Sequence, residues 1–430
     1  MWKLIFKNLY SRRRRMAWLI AEMAIVTIVI WVFIDPIIVN GYVDSLPLGY
    51  DRDRLCLVKT RRVKENSPGY NAERTDSASS ETDLRNLIRR VTNMPEVESA
   101  TIVDWSYPDA MGYSSISVGK DSVWLSLQVL PMVSGMDYLT TFGIDAIDGS
   151  PVAGQLQNLR PETGDIIITR SVANLLFPES NAVGRYIGDD AEDFTPEDAY
   201  RIAGVVKDVR PQSVSSCPLV AFRPYEFNPD LDYSIVVRLR SASGKRRFIH
   251  DFKERMSTEM RSGNYMCYDI NSYDNISEEA AYSAGVTNDL RLRSMLLLFF
   301  FTNLLLGVAG VFYLQTRKRS EEAGIMRSFG ATPRRIRLML LGEGWVLATA
   351  GCLIGCLVYL QYAVKEGLAR AHSNTGYELY DSSWGSDLSV HFIVVSLVVY
   401  LLMLIVTGIG ISIPAWRISR VNPVDALRHD

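Results

Sequence analysis

Few side chains in this sequence have the types and spacing that catalysis requires. His250, His372, His391 and His429 form no H-E-x-x-H zinc pair, and no G-x-S-x-G nucleophile turn occurs. The phosphate cradle G-x-x-x-x-G-K-[ST] is also missing: Gly119-Lys120 and Gly244-Lys245 lack the rest of it. Cys56, Cys217 and Cys267 can supply at most one disulfide, and Cys352 and Cys356 sit in an apolar run as small packing residues. This inventory points to no metal, no cofactor held by the chain and no nucleic-acid partner. The chemistry that remains is recognition. Residues 317–336, RKRSEEAGIMRSFGATPRRI, are basic, punctuated by glycine and bracketed by long apolar runs. A segment of that kind is built to be held by another protein.

The elements that must position it are hydrophobic. Apolar runs cover 16–34, 295–314, 338–360 and 392–413. Each has about 20 residues, enough to cross a bilayer at about 1.5 Å rise per residue. Two carry no charge, and the others carry only Glu22 and Glu343. Each acid lies within about two turns of the basic end of its run, where a side chain reaches the interface at modest cost, so both are expected to be structural. The first run ends in WVFIDP at 31–36 with no small-x-small cleavage site, which favours an uncleaved anchor over a signal peptide.

Charge sets the orientation. Residues 1–16, 315–337 and 414–430 together hold sixteen basic and four acidic residues, although the net charge of the whole chain is −2. Lys and Arg favour the inner side, so both termini and the 315–337 loop are expected in the cytoplasm. The implied order is an interfacial helix over 1–15 (Trp2, Ile5, Phe6 and Leu9 share a face) and spans at 16–39, 291–314, 338–360 and 391–413. The external parts are 40–290 and a short loop, 361–390, and the chain closes with a cytoplasmic tail, 414–430.

Within 40–290, strand and helix signals alternate. Strands are expected at 54–60, 97–103, 123–130, 233–240 and 265–270, and helices at 82–93 and 245–260. Two βαβ units flanking an inserted stretch at about 140–228 describe a split lobe plus a smaller β-rich lobe. Polar residues 61–80 read as a mobile loop. No proline interrupts 277–314, so one helix is expected to run from the external domain through the second span as a stalk. The fold class is therefore a membrane protein of four transmembrane α-helices, with a large α+β extracytoplasmic domain between spans one and two.

The 315–337 loop has its own punctuation. A helix over 319–329 can stop at Gly330 in a left-handed conformation. Thr332 then offers an N-cap, with Pro333 in the tolerated first position of the next helix. In the third span Gly351 and Gly355, with Ala348 and Cys352 nearby, form a small-residue stripe suited to close helix packing, within the chain or between copies.

The decamer EAGIMRSFGA at 322–331 resembles the E-I-G-I-x-R-A-L-G-A signature of the MacB/FtsX/LolC-type ABC transporter permeases. Glu322, Gly324, Ile325, Arg327, Gly330 and Ala331 match, whereas Ala323, Ser328 and Phe329 depart from it. Pro414-Ala415, Asn422-Pro423 and Ala426-Leu427-Arg428 resemble the family's P-A…P-x-x-A-L-R ending. The segments 165–177, 182–187 and 200–209 resemble parts of its periplasmic core domain. The resemblance implies that 315–337 carries the coupling helix held by a cytoplasmic ABC ATPase, through Glu322, Gly324, Ile325, Arg327, Gly330 and Ala331. ATP and Mg would be bound by that partner. It further implies a second permease copy or homologue, and a periplasmic adaptor and outer-membrane channel as further partners. The site would be the bacterial inner membrane, and the function mechanotransmission for export of a peptide, lipid-linked or drug-like substrate. The alternative within the same family is a regulator that activates a periplasmic cell-wall hydrolase without transport.

Overall fold

A computed structural model describes residues 13–110, 112–120, 123–161, 164–188, 199–314, 323–370, 384–385 and 387–419. The interfacial helix expected over 1–15 falls almost wholly outside them, as do Glu322, most of the 361–390 loop and the 422–428 ending. The chain divides into two compact units: an α+β unit built mainly from 43–287, and a helical unit from the rest.

In the α+β unit, strand β1 (Leu55–Arg62) starts with four consecutive buried residues, LCLV. An unbroken apolar run marks a strand covered on both faces. Cys56 and Val58 point to one core, and Leu55 and Leu57 to another. β1 lies at the centre of an antiparallel five-stranded sheet in the order β10 (Arg261–Ser262), β11 (Tyr265–Ser272), β1, β9 (Ser234–Leu239), β2 (Val97–Val103). Helices α2 (Ser77–Thr92) and α6 (Lys245–Glu259) cover one face. The Asp76 carboxylate caps α2 by accepting from the Ser79 N–H, and Leu84, Leu87, Ile88 and Val91 form the buried stripe.

The opposite face meets a second, six-stranded mixed sheet across a shared core that includes Leu130, Phe142, Phe222, Val236 and Tyr273. Its order is β3 (Ser114–Lys120), β4 (Val123–Val133), β8 (Val220–Tyr225), β5 (Asp165–Thr169), β7 (Tyr200–Val206), β6 (Tyr186–Ile187). Short helices α3 (Tyr138–Phe142) and α4 (Ala153–Leu156) lie in its connections, and α5 (Arg170–Leu176) packs on its far side. This corrects the expected lobe boundary. The second sheet is not confined to 140–228, because β4 pairs in parallel with β8, bringing β3 and β4 into it from before that insertion. The alternation of β4 identifies a strand but cannot say which sheet it joins.

Two further expectations are corrected. The polar 61–80 stretch is tied down rather than mobile. The Asn264 side chain accepts from the Asn71 N–H (2.8 Å) and donates to the Asn71 and Arg74 carbonyls, while Arg74 forks onto buried Asp83 at 2.7 and 3.1 Å. Nor is 277–314 one helix. Helix α7 (Tyr273–Ser283) ends at Ala284, Gly285 adopts φ +78°, and α8 (Val286–Leu314) begins afresh. A glycine with left-handed backbone is a common helix stop, and a run without proline does not exclude it. No disulfide joins any of the five cysteines; Cys56 and Cys267 are buried core residues of the first sheet.

The helical unit contains α1 (Arg13–Ser45), α8, a short helix α9 over 323–328, α10 (Pro333–Glu366) and α11 (Leu388–Ser419). α1, α8, α10 and α11 are each long and apolar enough to span a membrane. Trp31 of α1 is fully buried and stacks on Tyr359 of α10 and Phe392 of α11, at 4.5 and 5.2 Å between ring centres.

Candidate functional site: the corner between α8 and α10

The residues of the basic loop that the structure describes form an ordered corner. Helix α9 closes with a complete Schellman motif: the Gly330 N–H donates to the Arg327 carbonyl at 3.0 Å, and the Ala331 N–H to the Met326 carbonyl at 2.9 Å. Gly330 takes φ +87°, which a side chain would strain. The Thr332 hydroxyl then caps α10 by accepting from the Arg335 N–H, with Pro333 in the first turn. A left-handed stop followed at once by a capped restart fixes the angle between α9 and α10 through the backbone itself.

Burial assigns the faces of α9. Ala323 belongs to the core of the helical unit with Ile336 and Leu340, and Met326 and Ala331 pack against it. Gly324 is buried as well, which puts backbone rather than side chain against the bundle. Ile325 and Phe329, four residues apart, point the other way and are 47% and 87% exposed. They border a cleft of about 310 Å³ whose walls include Met326, Arg335, Ile336 and Met339. Arg327 is half-buried and engaged within the protein.

The corner therefore brings Gly324, Ile325, Arg327, Gly330 and Ala331 into one small structure, with different tasks for each. Gly324 and Ala331 face the bundle, Gly330 makes the turn, Ile325 faces outward, and Arg327 lies between. Glu322 lies outside the described residues. Phe329, which departs from the signature, joins the site through its spacing from Ile325, since residues at i and i+4 share a helix face.

The glycine stripe in α10 is occupied from within the chain. A Cβ on Gly351 would stand 2.5 Å from the Cβ of Met23, and one on Gly355 would stand 2.7 Å from the Ala24 carbonyl oxygen. Both glycines thus let α1 and α10 touch backbone to backbone. Gly344 leaves room for the Ile411 side chain of α11, and Gly410 for the Leu305 carbonyl oxygen and the Val308 side chain of α8. Glu343 is buried and has its partners within the protein, and the carboxylate of half-buried Glu22 lies against Gly307. Among the described residues no cluster of three or more potential metal ligands occurs.

Residues 294–423 match the family model of the FtsX-like permease C-terminal domain, a stretch that contains the corner, α10 and α11. Over 198 residues (46% of the chain) the sequence is 26% identical to the macrolide export ATP-binding/permease protein MacB of Syntrophobacter fumaroxidans. Over 172 residues (36% of the chain) it is 23% identical to the ABC transporter permease YtrF of Bacillus subtilis. The match spans 25% of the length of the first relative and 39% of the second. Among solved structures, the periplasmic region of MacB from Actinobacillus actinomycetemcomitans is similar at 11% identity and TM-score 0.29, covering 54% of this chain and 94% of that one. The extracellular domain of the noncanonic ABC-type transporter YknZ from Gram-positive bacteria is similar at 13% identity and TM-score 0.27, covering 50% and 100%.

Proposed function

We propose that this chain, a multi-pass ABC transporter permease of the MacB/FtsX type, is a force-transmitting subunit whose nucleotide is hydrolysed elsewhere. In this reading a separate cytoplasmic ATPase, binding ATP and Mg, grips the α9 corner, and its closure moves the permease. The movement is delivered to the α+β unit on the other side of the bacterial inner membrane, with the basic loop and both chain ends in the cytoplasm. A second permease, identical or homologous, completes the assembly.

The observation that carries this is the ordered, outward-facing Ile325–Phe329 pair on a corner with no slack in its backbone. An exposed large apolar pair beside a cleft is what a protein partner buries, and loss of one aromatic anchor is what an interface feels most. A rigid corner also transmits displacement, whereas a loose loop would absorb it. The MacB relative is an exporter of macrolides by its name. By analogy the substrate class here is a peptide, lipid-linked or drug-like molecule, reached with the help of a periplasmic adaptor and an outer-membrane channel.

The test is capture of the ATPase by the purified, membrane-reconstituted permease. Phe329→Ala should lower capture at least tenfold while leaving expression and thermal stability unchanged. Undiminished capture by that variant, or ATP hydrolysis by the purified chain alone, defeats the reading. Proteins that co-purify from the outer side then separate export from activation of a cell-wall hydrolase: a channel or adaptor marks the first, a hydrolase the second.

A further inference from the structure

A cavity of about 300 Å³ opens in the α+β unit beside the turn at Asp109. The loop over 209–216 lines it with Gln212 and Val214, and the end of α7 lines it with Ala280 and Ala284. Asp109 and Tyr113 complete the wall. The volume stands at the lower end of the roughly 300–1,000 Å³ typical of small-ligand pockets.

The backbone is fixed on both sides of Gln212. The Asp109 N–H donates to the Pro211 carbonyl at 2.7 Å, and the Asp109 carboxylate accepts from the Ser213 N–H at 2.7 Å. The Gln212 carbonyl accepts from the Ser215 N–H at 3.0 Å. Buried Arg210 donates through its guanidinium to the carbonyls of Leu46, Pro47, Ser213 and Ser215, and through its backbone N–H to Leu48. These groups satisfy one another. The Gln212 side chain stands apart: it is only 7% exposed, yet among the described residues its carboxamide has no hydrogen-bond partner. Folded proteins keep few buried polar groups unpaired, because each forfeits its hydrogen bonds to water. On a preorganised loop at the wall of a cavity, such a group is placed to orient a ligand.

The wall also sets the ligand's chemistry. A carboxamide carries an acceptor oxygen and two N–H donors, so its complement holds a donor and an acceptor side by side. Among the described residues lining the cavity, Asp109 alone is charged, and its carboxylate serves Tyr50, Ser213 and Ser277. A negative wall without Lys or Arg disfavours an anion, and a carboxylate already engaged by three donors has little to offer a cation. We propose that this cavity binds an uncharged amide group, of the kind a peptide backbone presents. Gln212 donates to the ligand's carbonyl and accepts from its N–H, while Val214, Ala280 and Ala284 contact the apolar substituents.

The position of the site gives binding a consequence. α7 ends at Ala284, and left-handed Gly285 separates it from α8. A ligand between Gln212 and the last turn of α7 braces that turn against the 209–216 loop. Arg210 ties the same loop to residues 46–48, which directly follow α1 in the chain. The inference stands independently of the ATPase-docking reading, and its test needs no ATPase.

The test uses the full chain in nanodiscs with N-acetylalanine methylamide, an uncharged molecule with two amides, as the probe. Saturation-transfer NMR should show millimolar binding that Gln212→Leu weakens at least about tenfold, the worth of two hydrogen bonds. Because the carboxamide has no partner to lose, the Tm of that variant should stay level or rise. A Tm lowered by several degrees would show a structural Gln212 and overturn the proposal. So would absence of probe binding, equal binding by both proteins, or binding of acetate or methylammonium that depends on Gln212. Saturating probe should also slow amide hydrogen exchange over 280–285 in the unaltered chain and not in Gln212→Leu. Unchanged exchange there overturns the bracing of α7.

Discussion

Phe329 and Arg327 show how differently two neighbouring residues of one short helix can stand. Phe329 is 87% exposed and touches little of its own chain, so its removal should cost under about 0.5 kcal/mol of stability while damaging partner capture. Arg327→Glu should also reduce recruitment of the ATPase to membranes without altering expression, and normal recruitment would remove Arg327 from the site. Arg327 is half-buried and has an interaction within the protein, so that effect need not come from direct contact with the partner. Cysteines are likewise separated by place. Burial pushes the Cys56 and Cys267 thiols up to about 12, so thiolate is scarce at pH 8. Maleimide treatment of the folded protein followed by mass spectrometry should therefore modify half-buried Cys217 and leave Cys56 and Cys267 untouched.

Among the elements, α10 is the one most dependent on small residues. Its glycines bring it against α1 at Gly351 and Gly355 and against α11 at Gly344. Gly351→Leu forces a side chain into Met23 and the α1 backbone, an overpacking expected to cost about 1–3 kcal/mol. The measurement is thermal stability in detergent. Loss of self-association with unchanged Tm would show that the stripe serves a second copy instead. The break at Gly285 matters at this scale too. A single rod from α7 into α8 would have no joint, whereas the left-handed glycine places one between two helices. The α+β unit has its own fixed point nearby. Asp109, at φ +59°, accepts from the Tyr50 hydroxyl at 2.9 Å and the Ser213 N–H at 2.7 Å, and takes a short hydrogen bond from Ser277 of α7. A buried carboxylate with several donors holds that strained backbone and anchors α7 to the loops around it.

For the whole molecule, four helices long and apolar enough to span a membrane accompany the match of 294–423 to the FtsX-like permease C-terminal domain. Orientation is the property on which every mechanical reading turns. Single cysteines placed at Ser328 and at exposed positions of α6 in an otherwise cysteine-free chain should label from opposite faces of sealed vesicles, Ser328 from the cytoplasmic face. Labelling of both from one face would end the transmission model.

The sequence alone determined the local structure that short-range physics controls. Twenty-residue apolar runs specify long helices, alternating residues specify strands such as β4, and Gly330-Ala-Thr-Pro333 specifies a helix stop followed by a restart. These features depend on residues within a few positions of one another. Tertiary structure alone decided what lies far apart in the chain: that β3 and β4 join the second sheet, that the α10 glycines face α1, and that 356 positions separate Asp35 from the His391 it meets. A lone Asp at the end of an apolar run and a lone His at the start of another carry no local pattern. Only the packing of α1 against α11 brings them together.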